Sequence, residues 1–210
     1  MRKPRVLVAC EYSGTVRDAF ARRGWDAWSC DLLETENPEG QHYTGDVNDI
    51  IGQDWDLVIA HPPCTFLTNS GVRWLYDSRP KFANRWQELD EGAEFFRSFL
   101  DLEHVEFIAV ENPQMHKHAI ERIGGVKPTQ YIQPWEYGHG ETKKTGLWLK
   151  NLPPLVPTDI VDGREARVHR MPPGPDRWKE RSRFFRGVAE AMADQWGSYV
   201  LARTDLSEAA

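Results

Sequence analysis

Short apolar runs divide the first half of the chain and predict buried strands. They lie at residues 5–10, 25–30, 55–60 and 105–110. Each run is bounded by polar or turn-forming residues and has the length of a strand rather than that of a helix. The sequence therefore predicts at least four strands before residue 111.

Helical patterns lie between these runs. Residues 15–24 predict a short helix that ends at Gly24, and residues 87–102 predict a longer amphipathic helix. The apolar positions of the longer helix are spaced by three and four, at Leu89, Ala93, Phe96 and Leu100. Because strands and helices alternate, we expect a single α/β domain over residues 1–210, with a mostly parallel, twisted sheet of the Rossmann-like kind.

The rest of the chain is less regular. In order, it predicts a short helix at 115–123, strands at 130–133 and 145–149, an irregular, proline-rich and basic segment at 151–180, and a final helix at 186–202. Residues 34–44 and 65–86 are polar and predict loops. Loops longer than about 12–15 residues are often functional lids, so we expect segment 65–86 to be one.

Composition and charge exclude several classes of function. The formal net charge of −6 argues against binding nucleic acid by charge alone, although basic residues concentrate between 164 and 186. Three cysteines and seven histidines are scattered, which predicts neither a disulfide framework nor a metal site. No apolar run approaches the ~20 residues that span a bilayer, and the first run is too short for a signal peptide. We therefore expect a cytoplasmic protein.

Two of the predicted strands end in groups that can do chemistry. Pro62-Pro63-Cys64 follows one apolar run, and Glu111-Asn112-Pro113 follows another. Proline fixes its own backbone angle and lacks an N–H donor, so the approach to the Cys64 thiol is stiff. In an open α/β sheet such strand ends meet at the carboxyl edge, which predicts a site there with Cys64 as a nucleophile.

The first strand, turn and helix predict a binding edge for a cofactor that carries adenosine. Gly14 lies in the turn, and acidic residues end successive predicted elements at Glu11, Asp31 and Asp46. A carboxylate at the second strand end can accept hydrogen bonds from ribose hydroxyls, and Asp46 can accept from an adenine amino group. Each carboxylate is also a common helix cap or turn residue, so both interpretations stay open.

Taken together, these motifs resemble the DNA (cytosine-5) methyltransferases. Pro62-Pro63-Cys64 resembles the family's Pro-Cys nucleophile loop, and Glu111-Asn112-Pro113 resembles its Glu-Asn-Val motif, about fifty residues later. Tyr12-Ser13-Gly14 resembles the first motif, Gly45-Asp46-Val47 the segment that meets the adenine, and residues 186–192 the final helix. The pattern is most similar to small phage-type versions used in DNA modification and restriction-modification.

The resemblance implies S-adenosylmethionine, or a modified sulfonium analogue, as cofactor and a covalent mechanism on DNA. Cys64 would add to carbon 6 of cytosine, Glu111 would protonate ring nitrogen 3, and Asn112 would hold the loop or the base. Lys143 or Lys144 would replace an arginine that the family carries. The thiolate needs a nearby positive charge, for which the sulfonium, Arg73 and these two lysines are candidates, and we expect a lowered thiol pKa.

The resemblance also implies two sets of binding residues. The cofactor set is Glu11, Tyr12, Ser13, Gly14, Asp31, Leu32, Asp46, Val47 and Pro62. The DNA set, drawn from the long loop and the basic segment, is Thr65, Arg73, Trp74, Arg79, Arg85, Arg167, Arg170, Arg181 and Arg183. A base inside a duplex cannot reach the thiol, so the target cytosine must be flipped out.

The chain departs from the family in one large respect. Only about 25 irregular residues, 151–178, stand where the family has its target-recognition domain. Weakly specific action on DNA, dimerisation, and action on single strands or free nucleotides therefore stay open. So do two other functions: a related pyrimidine carbon-5 modifier that acts on nucleotides or RNA, and a non-catalytic nucleic-acid-binding decoy.

Overall fold

Seven strands form one sheet in the computed structural model, which describes residues 2–174 and 177–208. They are β1 Arg5–Ala9, β2 Asp26–Asp31, β3 Gln41–Thr44, β4 Leu57–Ala60, β5 Phe107–Pro113, β6 Gln130–Ile132 and β7 Thr145–Lys150. Their order across the sheet is β3-β2-β1-β4-β5-β7-β6. Strands β1 to β5 are mutually parallel, whereas β7 runs antiparallel to both of its neighbours. This is a Rossmann-like α/β fold.

The strand order reverses between β1 and β4. From β1 the chain builds outward through β2 and β3, then returns to place β4 and β5 on the other side of β1. In doubly wound sheets ligands bind at such a switch point, outside the carboxyl ends of the strands. The loops that follow β1 and β4 are therefore the ones positioned to form a site.

Helices cover both faces of the sheet. They are α1 Thr15–Ala21, α2 Arg85–Leu100, α3 Lys117–Arg122, α4 Arg167–Arg170, α5 Arg177–Ser182, α6 Arg186–Ala191 and α7 Gly197–Glu208. One core packs α1, α6 and α7 against Val6, Val8 and Ile59, and the other packs α2 and α3 against Leu7 and Val58. Alternation along the strands sends successive side chains to opposite cores. No helix in the described part of the chain is long and apolar enough to cross a membrane.

Most predicted elements are present, but three segments differ. Residues 34–44, predicted as a loop, contain edge strand β3, whose half-exposed sequence lacks an apolar run. The long loop 65–86 contains two 3₁₀ turns, Val72–Tyr76 and Pro80–Phe82. The segment 151–180, predicted as irregular, contains α4 and α5. Pro175 and Asp176 of that segment lie outside the described residues.

The boundaries of two further elements differ from the sequence prediction. Strand β5 continues through Glu111 and Asn112 to Pro113, because these residues pair with β7. The predicted final helix is divided into α6, a π-helical turn at Met192–Trp196 and α7. Buried Trp196 lies in that turn and donates its indole N–H to the Pro153 carbonyl, 2.9 Å away.

Candidate active site

The end of β4 carries the stiff turn that contains the cysteine. The backbone N–H of His61 donates to the Ala9 carbonyl at 2.9 Å, so this residue still pairs with β1. Pro62 is buried, and Cys64, beyond Pro63, is half-buried. The Cys64 carbonyl accepts hydrogen bonds from the N–H groups at 67 and 68, at 3.1 and 3.2 Å. The thiol is therefore held in a tight turn at the carboxyl edge of the sheet.

The acidic motif lies inside β5 rather than after it. Glu111 is opposite Leu147 of β7, and Asn112 is opposite Gly146. Successive strand residues point to opposite faces, so Glu111 shares a face with Ala109, and Asn112 points toward the other core. The pairing with β7 was not visible in the sequence, because β7 follows about thirty residues later.

Glu111 has a partner that the sequence interpretation missed. Its Oε2 lies 3.4 Å from Nδ1 of His61, and both side chains are about nine-tenths buried, with 9% and 10% exposure. Burial alone would raise the pKa of Glu111, but the His61 hydrogen bond and the Lys143 charge outweigh it and lower that pKa. The sequence did contain one indication of this partner: His61 directly precedes Pro62, at the end of the same predicted strand.

Several buried polar atoms around this pair have no hydrogen-bonding partner among the described residues. They are Nε2 of His61, Oε1 of Glu111, and both amide atoms of Asn112. Buried polar side-chain atoms are nearly always paired, because an unpaired one costs about 1–3 kcal/mol. Such a concentration at two adjacent strand ends is typical of a place where a polar ligand supplies the missing partners.

The Cys64 thiol is influenced by the same groups. Burial is the largest effect and raises its pKa, and the Glu111 carboxylate adds to the increase. Lys143 and Arg181 oppose this but do not reverse it. The expectation of a lowered thiol pKa is therefore wrong for the chain by itself, since apolar surroundings and a nearby carboxylate disfavour the thiolate.

The two candidate lysines point to different places. The Nζ of Lys143 donates to the Arg181 carbonyl at 3.3 Å and acts on both Cys64 and Glu111 by charge. The Nζ of Lys144 instead lies over the Tyr131 ring, 4.3 Å from its centre. Only Lys143 of the two therefore belongs to the surroundings of the thiol, and Arg73 is not among the charges that act on it.

The turn between β1 and α1 is built around Glu11. Its buried carboxylate accepts the N–H groups of Val16 and Arg17 at 2.7 and 3.2 Å, and the Ser13 hydroxyl at 3.2 Å. Burial raises the pKa of Glu11, against the opposing effects of His61 and of these hydrogen bonds. Gly14 has a φ of +70°, and a side chain there would overlap the buried Arg17 guanidinium.

The other two candidate cofactor carboxylates line the neighbouring strand ends. Asp31 ends β2, and its Oδ1 accepts the Leu33 N–H at 3.0 Å. Asp46 caps the 3₁₀ turn Val47–Asp49 by accepting the Asn48 N–H at 2.9 Å. Both also act as turn or cap residues, as their residue types allow. Leu32 beside them is 77% exposed, whereas Val47 is buried.

One residue at this edge has an uncommon backbone. Cys10, between β1 and Glu11, has a φ of +59°, a region that residues other than glycine seldom adopt. Burial raises the pKa of its thiol, and the Asp31 carboxylate adds to the increase. Backbone strain of this kind clusters at functional sites, and no sequence signal points to it.

Helix α5 lies against the β1–α1 turn. The Tyr12 hydroxyl donates to the Lys179 carbonyl at 2.6 Å, and Arg183, just after α5, pairs with Glu36 at 2.6 Å. The Phe184 ring, also past α5, packs on the His61 imidazole with centres 4.7 Å apart. Part of the segment predicted as basic and irregular therefore covers the candidate site.

The predicted DNA-binding residues of the long loop form a cation–aromatic cluster beside the Cys64 turn. Arg73 lies over the Trp74 ring at 4.2 Å, and that ring stacks on Phe82 at 4.7 Å. Arg85 lies over Phe66 at 4.5 Å, and Arg79 pairs with Asp77. Thr65, next to the thiol, is exposed.

The remaining predicted DNA-binding arginines have different surroundings. Arg167 pairs with Glu141 at 2.6 Å, and Arg183 with Glu36 as described above. Within the part of the chain that the structure describes, Arg170 and Arg181 pair with no carboxylate, and neither does Arg73. In the same residues, no three His, Cys, Asp or Glu side chains converge as metal ligands do.

Comparison with known proteins adds little beyond the fold. No family model and no curated protein match the sequence. Matching solved structures include a putative DNA modification methyltransferase encoded within an E. coli prophage, with a TM-score of 0.47, 15% identity, and coverage of 81% of this chain and 56% of that one. Another is the Entamoeba histolytica methyltransferase EhMeth, with a TM-score of 0.45, 13% identity, and coverage of 77% and 58%. This chain thus spans little more than half of either, and no activity follows from such distant similarity.

Proposed function

We propose that the protein transfers a methyl group from S-adenosylmethionine to carbon 5 of cytosine in DNA through a transient bond from Cys64. One observation carries the proposal: the Cys64 turn follows β4, Glu111 lies near the end of the adjacent parallel strand β5, and His61 at the start of that turn is 3.4 Å from Glu111. A thiol and a carboxyl group within reach of one base are what this reaction requires. A pure binding module needs neither.

The residues at the β1–β2 edge fit an adenosine-bearing cofactor. Exposed Leu32 offers an apolar surface beside the half-buried Asp31, a combination that suits an adenine ring and ribose hydroxyls. Glu11 keeps the turn after β1 in shape by capping α1. When bound, S-adenosylmethionine supplies an electrophilic methyl group and a positive charge that favours thiolate.

Cys64 and Glu111 have complementary roles in the proposed reaction. Cytosine carbon 5 is a weak nucleophile until the Cys64 sulfur adds to carbon 6 and turns the ring into an enamine. Glu111 donates a proton to ring nitrogen 3 as that bond forms, which prevents negative charge from building up on the ring. Lys143 opposes the rise in the thiol pKa. Once carbon 5 has taken the methyl group, loss of its proton to solvent re-forms the ring double bond and expels the sulfur as thiolate.

DNA would approach over the long loop. The exposed Arg73, seated on Trp74, can contact a phosphate, and the loop begins at the residue after the nucleophile. Stacked aromatic and guanidinium groups suit a strand whose bases are unpaired. Arg170 and Arg181 supply further charge from the segment that stands in place of a recognition domain.

Trapping with a fluorinated substrate tests the proposal. An oligonucleotide carrying 5-fluorocytosine should form a stable covalent adduct with the protein when cofactor is present, because fluorine blocks loss of the carbon 5 substituent. The adduct should be absent in Cys64→Ala and present in the matched control Cys30→Ala, whose thiol is buried within β2. Parallel reactions on duplex, single strand and mononucleotide would separate the substrate classes.

Mass spectrometry of digested product nucleosides identifies the group transferred. We expect 5-methylcytosine from unmodified DNA. A larger group at carbon 5 would point to a modified sulfonium donor. Absence of both adduct and modified nucleoside on every substrate would overturn the proposed reaction.

A further inference from the structure

His61 occupies a fixed position between two carboxylates. Its Nδ1 lies 3.4 Å from Oε2 of Glu111, and its charge acts on the Glu11 carboxylate from the β1 side. Backbone pairing with Ala9 and packing on Phe184 hold the ring in place. The imidazole therefore connects the turn that shapes the cofactor edge with the carboxyl group that faces the base.

The proposed reaction creates a requirement at Glu111. A carboxyl group must carry a proton to donate it to ring nitrogen 3, yet the pKa of Glu111 is lowered, despite its burial, by His61 and Lys143. The proposed reaction therefore needs a neighbouring group that can pass a proton to Glu111. Among the described residues, His61 is the titratable side chain that is hydrogen-bonded to this carboxylate.

The two oxygens of Glu111 are suited to different tasks. Oε2 faces the His61 ring, whereas Oε1 is buried and has no hydrogen-bonding partner among the described residues. An unpaired buried oxygen is expensive unless something else binds it. Oε1 is therefore the atom available to meet the nucleobase, while Oε2 exchanges a proton with the histidine.

We propose that His61 is a positioning residue that supplies the proton which Glu111 delivers to cytosine nitrogen 3; this rests on the proposed function. As the Cys64 sulfur bonds to carbon 6, nitrogen 3 takes a proton from Oε1 of Glu111. Oε2 takes the Nδ1 proton of His61, which leaves a neutral imidazole. After carbon 5 has taken the methyl group, its proton is lost to solvent, the sulfur leaves as thiolate, and the nitrogen 3 proton returns along the same path. Protons therefore balance without a further reagent.

The pH dependence of the proposed reaction is influenced by the charged groups around the His61 ring. Those that face the His61 and Glu111 pair are Glu11 on the β1 side and Lys143 before β7, and Cys64 and Arg181 lie beyond them. Removing the imidazole should therefore change the pH profile of adduct formation.

The variant His61→Gln separates proton supply from mere packing. Glutamine keeps a donor near Glu111 but cannot exchange a proton at these pH values. Measured with the 5-fluorocytosine oligonucleotide, adduct formation should slow about 100-fold. The pH profile of adduct formation should differ from that of wild type. The control His104→Gln, at an exposed histidine, should behave like wild type.

A spectroscopic measurement tests the pair without turnover. In protein labelled with ¹⁵N in histidine, the Nδ1 signal of His61 should differ between Glu111→Gln and wild type at the same pH, because its carboxylate partner is gone. The signal of His104 should not move. A His61 signal that is the same in both proteins would overturn the proposal.

The outcomes distinguish this inference from the function on which it rests. If wild type forms the adduct and His61→Gln forms it at the same rate with the same pH profile, His61 is structural and only this inference fails. If wild type forms no adduct on any substrate, the proposed reaction fails and the proton role fails with it. A slowed variant with an altered pH profile, together with a His61 signal that responds to Glu111→Gln, supports both.

Discussion

At the residue scale, the site combines two carboxylates whose surroundings act in opposite directions. Glu11 and Glu111 are both buried, and His61 acts on both. Burial would raise the pKa of Glu111, but a direct hydrogen bond and a nearby lysine outweigh it and lower that pKa. Burial dominates at Glu11 and raises its pKa despite the hydrogen bonds it accepts. Divergent pKa values within one site are a common mark of acid–base function.

Asp31 provides the sharpest test of the cofactor edge. We predict that Asp31→Ala weakens S-adenosylmethionine binding by about tenfold to a hundredfold, because a hydrogen bond to a charged group contributes about 1.5–3 kcal/mol. Isothermal titration calorimetry measures the change. The exposed neighbour Glu34 serves as control in Glu34→Ala. Equal affinity in Asp31→Ala and wild type would remove Asp31 from the cofactor site.

At the scale of elements, α6 is held to the rest of the molecule by close contacts. The N–H of Gly187 donates to Nε2 of His139 at 2.8 Å, and a side chain at 187 would overlap the Tyr137 carbonyl oxygen. His139 must be neutral at Nε2 to accept this bond. Burial lowers its pKa, which keeps it neutral at physiological pH.

Gly187→Ala should therefore destabilise the protein. The added methyl group must push α6 away from the Tyr137 turn, and overpacking of this kind costs about 1–3 kcal/mol. Urea denaturation measures the free energy of unfolding. Gly174→Ala is the matched control, since a side chain there meets none of the described residues within 4 Å. Equal losses in the two variants would mean that the close approach of α6 is not what constrains residue 187.

Glu190 joins α6 to α1 through two arginines. It lies 2.5 Å from Arg22 and 2.7 Å from Arg23, and its side chain is about one-third exposed. Burial would raise the pKa of Glu190, but these two partners outweigh it and lower that pKa. The stabilisation it contributes is therefore present above its unfolded-state pKa and is lost as pH falls through the folded-state pKa.

We predict that Glu190→Gln lowers the free energy of unfolding by about 0.5–1 kcal/mol near pH 7, a small value because solvent screens the pairs. The difference from wild type should shrink below about pH 4.5 and vanish as Glu190 becomes protonated. Denaturation at several pH values tests this. Asp194→Asn, at the more exposed and distant partner of Arg23, should change stability less. A difference that persists at acid pH would contradict the ion-pair explanation.

At the scale of the whole molecule, the net charge of the chain is negative, whereas the loop beside Cys64 is locally rich in positive charge. The chain carries −6 overall, yet cationic side chains line the loop beside Cys64. Many of the arginines are neutralised within the protein, as Arg79 is by Asp77. Binding to DNA should therefore depend on a few unpaired cations rather than on the overall charge.

Arg73→Ala should weaken DNA binding several-fold and reduce the salt slope of log affinity by about 0.7–0.9, the effect of losing one phosphate contact. Fluorescence anisotropy at several salt concentrations measures both quantities. The control is Arg97→Ala on α2, where the arginine is similarly exposed but pairs with Asp101. If the two variants lose affinity equally, the loop does not form the DNA-binding surface.

The apolar runs and the alternation of strands and helices determined the α/β class and the position of the central strands. They did so because burial of consecutive apolar residues is a local property that each segment carries by itself. The Cys64 turn was also recognisable, since prolines restrict a chain wherever they occur. Edge strand β3 was not, because its stability comes from pairing with β2 rather than from its own apolar residues.

Only the tertiary structure decided which groups contact one another. His61 lies beside Glu111 although fifty residues separate them in the sequence. Lys143 rather than Lys144 lies in the surroundings of the thiol, and α5 packs on Tyr12. It also raised the thiol pKa that the sequence interpretation expected to be low. Contacts between distant segments depend on strand order and register, and so do the burial and charge that set a pKa. Residue type and spacing determine which strands, helices and turns form, whereas packing determines which residues of these elements contact one another.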